Sequence, residues 1–576
     1  MAVIDESILT QALIVIDRVW SAVEPGPWTL SETAQPVSRL PEFSEAAALA
    51  RTALGRTLLA EIDALDTGAL PRDLAATVGV AREVALRWSK AGDWYWLVFD
   101  PAQVGFFALF APTAYGGGFL LSSLGALFAA QTFASAGDVD RYLGLVSDYA
   151  RIIRQFDART RGQFERGIVM PAPGIGPSIE VMTGLCGRAP ALLSVASERL
   201  AEVDADDALQ RIEARINDEV VPAFDALIAY LSAPAYREKA PETVGLTQYP
   251  GGAAVYEDLV RMHLTQDMTV QQVHQAGRAR MDSIRAQMQA LLDRIGFAGA
   301  PLTYLDAIKQ DPRWRAEGET AIAEVFRRYI DRMAPHIERS FSFMPEAGYD
   351  VAPLPAALEG AMTFGYYDAP KKAGDLGRFV FNTKNLSQAP LMNVASLNYH
   401  ELAPGHHFHI ASQRENTSLH PLRKASFCNA FNEGWAEYAA TLAGEMGMYA
   451  EPEEQFGRLV MDAFLTCRLV VDTGMNAMGW SLEQARDYMR QNAFMPEAEI
   501  ASESLRYSCD IPAQSLAYKL GDTYLLELRA AMKAALGARF DLKDFHDAVL
   551  KPGALPLPLV KANVEAETAR ILATAG

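Results

Sequence analysis

Long runs with an apolar residue every three or four positions dominate this chain, and they constrain it to a helical fold. Residues 43–65, 139–167, 196–232, 268–296 and 317–341 are rich in Ala, Leu, Arg and Glu and carry such stripes. A stripe of this kind buries one face of a helix against a neighbour, so each segment reads as a packed amphipathic helix. Strand-like alternation is scarce. Its clearest instance is GRFVFNT (377–383), where Phe379 and Phe381 alternate with Val380 and Asn382 as in a short half-buried strand. No repeat of fixed period is evident, which argues against a solenoid. The expected class is mainly α, a large helical fold with a few short strands.

A chain of 576 residues, half of them hydrophobic and 21% charged, is long enough for a sizeable core and is globular. Pro and Gly concentrate in APAYREKAPETVGLTQYPGGA (233–253), between two helical regions. We therefore expect an N-terminal helical half over 1–240 and a C-terminal half over 241–576, packed as one cleft-bearing unit. Residues 101–137 hold no charged side chain and would be long enough to span a bilayer, but Pro112 and the Gly116-Gly117-Gly118 turn interrupt them. Buried core segments joined by a turn are expected there, without stable membrane insertion. The first residues carry Asp5 and Glu6 where an export signal would be basic, so the expectation is a structural helix and a cytoplasmic protein. Formal charge is −19, from 52 basic and 71 acidic residues, which argues against a nucleic-acid partner. Four cysteines with no CxxC spacing read as reduced core thiols.

The chemistry concentrates in one place. Five of the nine histidines fall between His400 and His420, four of them in HELAPGHHFH. Two histidines four residues apart share a helix face and a metal ion; here His406 follows His400 by six. On an unbroken helix the two rings would point roughly 120° apart. Pro404 removes that obstacle, because it cannot donate to the carbonyl of His400 and its ring clashes with it. Gly405 offers the positive φ that such a detour often needs. The break swings His406 back beside His400, with His407 as the alternative ligand. Glu401, next to a ligand, would face the open position and take a proton from metal-bound water. A third ligand should come from a second helix. SFCNAFNEGWAEYAATLAGEM places Phe431, Trp435, Tyr438 and Leu442 on helical spacing, so a packed helix would hold Glu433 in place, with Glu437 on the same face one turn later as a candidate support. The cofactor expected is one divalent metal ion, Zn2+.

With these motifs in hand, the chain resembles bacterial proteins whose signature is HExxPGH followed by EGWAxY, relatives of the gluzincin metallopeptidases that include angiotensin-converting enzyme and the thermostable carboxypeptidases. The segments that carry the resemblance run through most of the chain. They are YPGGAAVYEDLVRMHLTQDMTVQQVHQAG (249–277), GYYDAP, GRFVFNT, HELAPGHHFH, NEGWAEYAATL, RLVVDTGMNAMGWSLEQA (468–485) and RYSCDIPAQSLAYKLG (506–521). The resemblance implies a gluzincin-like fold with a deep central cleft. It implies His400, His406 and Glu433 as metal ligands and Glu401 as the catalytic base. It also implies a late tyrosine that donates to the tetrahedral intermediate, Tyr518 first and Tyr507 second. This chain departs from the family pattern at His409, where Gln is usual, and at Asn476, where His often stands. Both positions are expected near the substrate.

Other side chains are weaker candidates. Arg506 could hold a substrate carboxylate bidentately. Arg378, Asn382 and Lys384 flank the strand and could engage a peptide running alongside it. Asp472 reads as a helix-end or supporting carboxylate, and His274 as structural. No GxGxxG, Walker loop or GxSxG elbow is present. The reading is a zinc-dependent, metallopeptidase-like hydrolase of short peptides. Its rivals are a metal-dependent hydrolase of a small non-peptide amide or ester, and a metal-binding protein without catalysis. Homodimerisation is left open.

Overall fold

A computed structural model describes residues 6–33, 35–354, 364–372 and 374–574. Helices dominate, with three short strands among the described residues, so the fold is mainly α. The five periodic stretches are helical where the stripes place them. Glu45–Asp63, Ala136–Glu165, Val270–Ile295 and Glu319–Ser340 match four of them to within about three residues, and 196–232 divides at Asp204. Local signals explain the ends. Ser44 Oγ accepts from the Ala47 amide at 3.2 Å, Thr269 and Gln272 form a reciprocal capping box, and Gly296 closes its helix in the left-handed conformation.

The chain forms two compact units. The first runs to Leu259 and takes back Met475–Ala477 and Leu505–Pro512. Its helices Glu45–Asp63 and Arg72–Trp94 pack so closely that a Cβ on Gly55 would come within 2.5 Å of the Ser89 amide nitrogen. Residues 101–137 break into short turns and helices, with Leu120, Leu121, Leu127 and Phe128 buried. No described helix is long and apolar enough to cross a membrane. The returning segments are stitched in by side chains. Asp510 accepts from Thr113 Oγ1 and from the Tyr115 amide at 2.9 Å, and Asn476 accepts from the Leu246 amide at 2.8 Å while donating to the Tyr507 carbonyl at 2.9 Å. All four cysteines are described, and none forms a disulfide.

The second unit holds Val260–Gly474, Met478–Ser504 and Ala513 onward. It contains a three-stranded sheet of β1 (Tyr349–Pro353), β2 (Gly365–Asp368) and β3 (Gly377–Phe381) in the order β1-β3-β2. β3 runs parallel to β1, with Phe379 opposite Val351, and antiparallel to β2, with Phe379 opposite Tyr367. Phe379 and Phe381 both pack on Phe326 of the Glu319–Ser340 helix, at 5.3 and 5.5 Å between ring centres. The strand is therefore more buried than its alternation suggests. Because β3 is central and both its edges are paired, a substrate peptide cannot add beside it. Asn382 caps the next helix by accepting from the Asn385 amide at 3.1 Å, and Lys384 is exposed. His274 bonds Thr473 Oγ1 at 2.8 Å and meets Trp480 edge to face, a packed structural role.

Five helices build the site, all of this unit except for the last residues Met475–Ala477 of the fourth: α1 (Val394–Glu401), α2 (His406–Glu415), α3 (Asn429–Glu445), α4 (Pro452–Ala477) and α5 (Ala517–Leu536). α3 and α5 cross at two glycines. A Cβ on Gly434 would lie 2.5 Å from the Gly521 Cα, and one on Gly521 would overlap the Ala430 carbonyl. Such an approach leaves no room for any side chain at either position.

Candidate metal centre

The Pro-Gly break separates α1 from α2, and its geometry differs from the positive-φ turn expected. Gly405 has φ −80° and ψ −128°. Glycine is required for proximity instead, because a Cβ there would overlap the His400 carbonyl. Trp435 on α3 donates its indole N–H to the Pro404 carbonyl at 2.9 Å and is itself fully buried. The Trp of the Glu-Gly-Trp segment therefore clamps the bend made by the Pro-Gly pair, and the Gly lets α3 sit against α5.

This bend brings His400, His406 and Glu433 together, with one donor atom from each inside a 4.8 Å cluster. Glu433 Oε2 lies 3.7 Å from His400 Nε2 and 3.3 Å from His406 Nε2. Donor atoms around a tetrahedral zinc at about 2.0–2.1 Å are separated by roughly 3.3 Å. Glu433 Oε2 is shielded from solvent and accepts no well-formed hydrogen bond. An orphaned carboxylate oxygen aimed between two imidazole nitrogens fits a borderline divalent ion in both spacing and donor chemistry.

The outer nitrogens are also held. His400 Nδ1 pairs with Glu437 Oε1 at 2.9 Å, and His406 Nδ1 with His409 Nε2 at 3.2 Å. With each Nδ1–H donating outward, each Nε2 presents a lone pair to the centre. His407, the alternative ligand, turns away: Nδ1 bonds Tyr367 Oη at 2.8 Å and Nε2 the Ala347 carbonyl at 3.0 Å. A single rotation along α2 thus separates the ligand from its neighbour.

Electrostatics follow from burial and pairing. Burial opposes protonation of His400, but Glu433 and Glu437 raise it to about 10. Burial pushes the Glu401 carboxyl up, against the pull of His400 and His406. Glu433 is held well below the usual carboxylate range, since the two facing imidazoles outweigh its burial. Burial, together with the neighbouring His406, pushes His409 well down.

Behind Glu437 lies a charge network that single-sequence reading did not reveal. Glu437 Oε2 receives Arg458 through two nitrogens at 3.1 Å and Lys519 Nζ at 3.0 Å. Lys519 continues to Asp522 at 2.6 Å and Asp462 at 3.1 Å, and Arg280 closes the set on both aspartates at 3.1 and 3.2 Å. Three carboxylates face three cations, so the buried charges balance. The members come from distant segments, and only Glu437 carried a periodic signal.

Tyr518 stands at the start of α5 with its ring parallel to that of His400, at 6.2 Å and 10°, and is partly exposed. Arg468, paired with Glu503 at 3.1 Å, lies over the Tyr518 ring at 4.7 Å. Tyr507 and Arg506 belong to the first unit. Tyr507 is fully buried, and Arg506 lies over the Tyr115 ring at 4.7 Å. Arg378 is exposed on β3, in register between Asp350 and Asp368. Asp472 is a mid-helix residue of α4 that accepts from the Ala513 amide at 3.0 Å and Ser515 Oγ at 2.9 Å, fixing a turn where Ala513 takes φ 65°.

Fold and site together define a mainly α protein with a buried His/His/Glu cluster of metal-ligand geometry. Residues 29–564 match the family described as a bacterial protein of unknown function (DUF885), and the chain belongs to that family. No protein of curated function matches it. Among solved structures it is similar to one described as "the putative lipoprotein from Colwellia psychrerythraea", with a TM-score of 0.85 and 22% identity over 99% of this chain and 100% of that one. It is also similar to a second so described, of unknown function, from Shewanella oneidensis, with a TM-score of 0.69 and 17% identity over 96% and 99%. At these identities the likeness concerns the fold.

Proposed function

We propose that the protein is a metal-dependent hydrolase that cleaves short peptides, with His400, His406 and Glu433 holding one zinc-class ion. The observation that carries this reading is the orphaned Glu433 oxygen facing both Nε2 atoms at 3.3 and 3.7 Å. An ion so held supplies Lewis acidity to a carbonyl and to the water that attacks it. Glu401, adjacent to His400 and buried, takes the proton of that water and returns it to the leaving amine. Glu437 and His409 hold the ligand rings in the tautomer that the ion needs. Tyr518, beside His400 and partly exposed, donates its hydroxyl to the oxygen that gains charge. The choice of peptides rests on the gluzincin resemblance of the motifs.

The test is a panel of short peptides and small aryl amides and esters, assayed with the zinc-loaded protein and its Glu401→Gln variant. The variant should keep its metal and lose about 10²–10⁴-fold in turnover of peptides. Cleavage of aryl esters or amides alone would move the substrate to the non-peptide class. Unaltered behaviour of the variant would leave a metal-binding protein without catalysis.

A further inference from the structure

The first unit contains a pocket remote in sequence from the residues of the metal centre. It has a cavity volume of about 60 Å3 and aromatic walls: Phe43, Trp88, Tyr95, Phe99 and Phe107. The walls are fixed. Tyr95 Oη donates to the Phe43 carbonyl at 3.2 Å, Phe43 meets Phe99 edge to face at 6.4 Å, and Phe107 meets Trp94 likewise at 5.4 Å.

Three charged side chains line the same space: Arg51, Arg87 and Asp100. Among the described residues neither guanidinium donates a hydrogen bond, although Arg51 lies 5.9 Å over the Trp88 ring. Asp100 uses Oδ2 to accept from the Gly105 amide at 2.6 Å, while its Oδ1 is shielded from solvent and has no partner. Burial lowers Arg51, partly offset by Asp100, and raises Asp100, partly offset by Arg87 first and then by the Gly105 amide and Arg51. A solvent-shielded carboxylate oxygen left open beside two guanidinium groups that donate no hydrogen bond is costly unless something completes it.

The charge balance selects the ligand. Both guanidinium groups of the wall act on Asp100, and Arg87 acts also on Glu83, which stands outside the wall. The remaining wall carboxylate, Glu42, is exposed and sits 3.6 Å from Arg151. A net-neutral pocket does not attract a simple anion or cation. It suits a zwitterion whose carboxylate reaches a guanidinium, whose ammonium reaches Asp100, and whose apolar group fills the aromatic box.

We infer that this pocket binds a free α-amino acid with an aromatic or bulky apolar side chain. The inference does not depend on the hydrolytic reading. Calorimetric titration of the full chain with L-phenylalanine, phenylacetate and 2-phenylethylamine tests it. Phenylalanine should bind saturably, and each half-ligand at least about tenfold more weakly, because each lacks one of the two charged contacts. Arg51→Gln and Asp100→Asn should each weaken phenylalanine binding by about tenfold or more, with the melting temperature close to that of the parent. Arg87→Gln serves if either variant fails to fold. Binding must persist in His406→Ala, which dismantles the metal cluster; loss there would place the ligand at the metal centre and overturn the proposal. Absence of saturable phenylalanine binding, equal binding of phenylethylamine, or indifference to the Arg51 and Asp100 changes would overturn it as well.

Discussion

The indole N–H of Trp435 donates to the carbonyl of Pro404 at 2.9 Å, which ties the helix bearing Glu433 to the bend that aligns the two ligand histidines. Both partners are buried, so the bond couples two motifs thirty-one residues apart. Trp435→Phe keeps most of the ring and removes the donor, leaving a buried carbonyl unpaired. It should cost about 1–3 kcal/mol of stability. Zinc affinity should fall with it, and denaturant unfolding beside zinc titration measures both.

Gly405 has no room for a Cβ against the His400 carbonyl. Gly405→Ala should therefore displace the start of α2 and with it His406. The expected outcome is loss of zinc binding together with destabilisation, whereas alanine at Gly444, where the nearest atoms lie at 3.4 Å, should be tolerated. Thermal unfolding with and without zinc separates the two variants.

Glu437 joins His400 to two buried cations. Glu437→Gln removes the charge that Arg458 and Lys519 share and weakens the orientation of His400. The cost to stability should be about 3–5 kcal/mol, the range for a broken buried pair. The fall in metal affinity should be about 10–100-fold. If stability fell and affinity did not, the network would be architectural alone.

His546 is fully buried, with Nε2 2.9 Å from Tyr438 Oη and Nδ1 2.8 Å from the Ser340 carbonyl. Burial pushes it down to about 3, against the Ser340 bond. Its folded-state pKa is thus below the unfolded value near 6.5. The unfolded chain binds the extra proton first, so this contribution is intact above about pH 6.5 and is lost as pH falls toward 3. Between pH 7.5 and 5.0 it amounts to about 2 kcal/mol. Denaturant midpoints at the two pH values should differ less in His546→Gln than in the parent.

Much of the helical frame was legible because a stripe at three- and four-residue spacing is a local property, and caps such as Ser44 and Thr269 are local too. The break at Pro404-Gly405 was legible for the same reason: a missing N–H and a missing Cβ act on the adjacent turn. What Gly405 does was not, because its constraint is the approach of His400, a distance set by the bend itself. The choice between His406 and His407 depended on Tyr367 and Ala347, some forty and sixty residues upstream. β3 showed its alternation but not its place, since a central strand and an edge strand are distinguished by neighbours and not by their own residues. Lys519, Arg458, Asp462, Asp522 and Arg280 converge only in three dimensions, and no local pattern marks any of them as a partner of the others.

Metal content tests the account most directly. The chain, stripped with chelator, reloaded with zinc and freed of excess by gel filtration, should hold about one ion per molecule by elemental analysis, as one site with three protein ligands requires. His406→Ala and Glu433→Ala should each retain far less than the parent, while His407→Ala should retain the parental amount. A parent that leaves the column without stoichiometric metal, or ligand variants that hold as much as it does, would contradict the central claim.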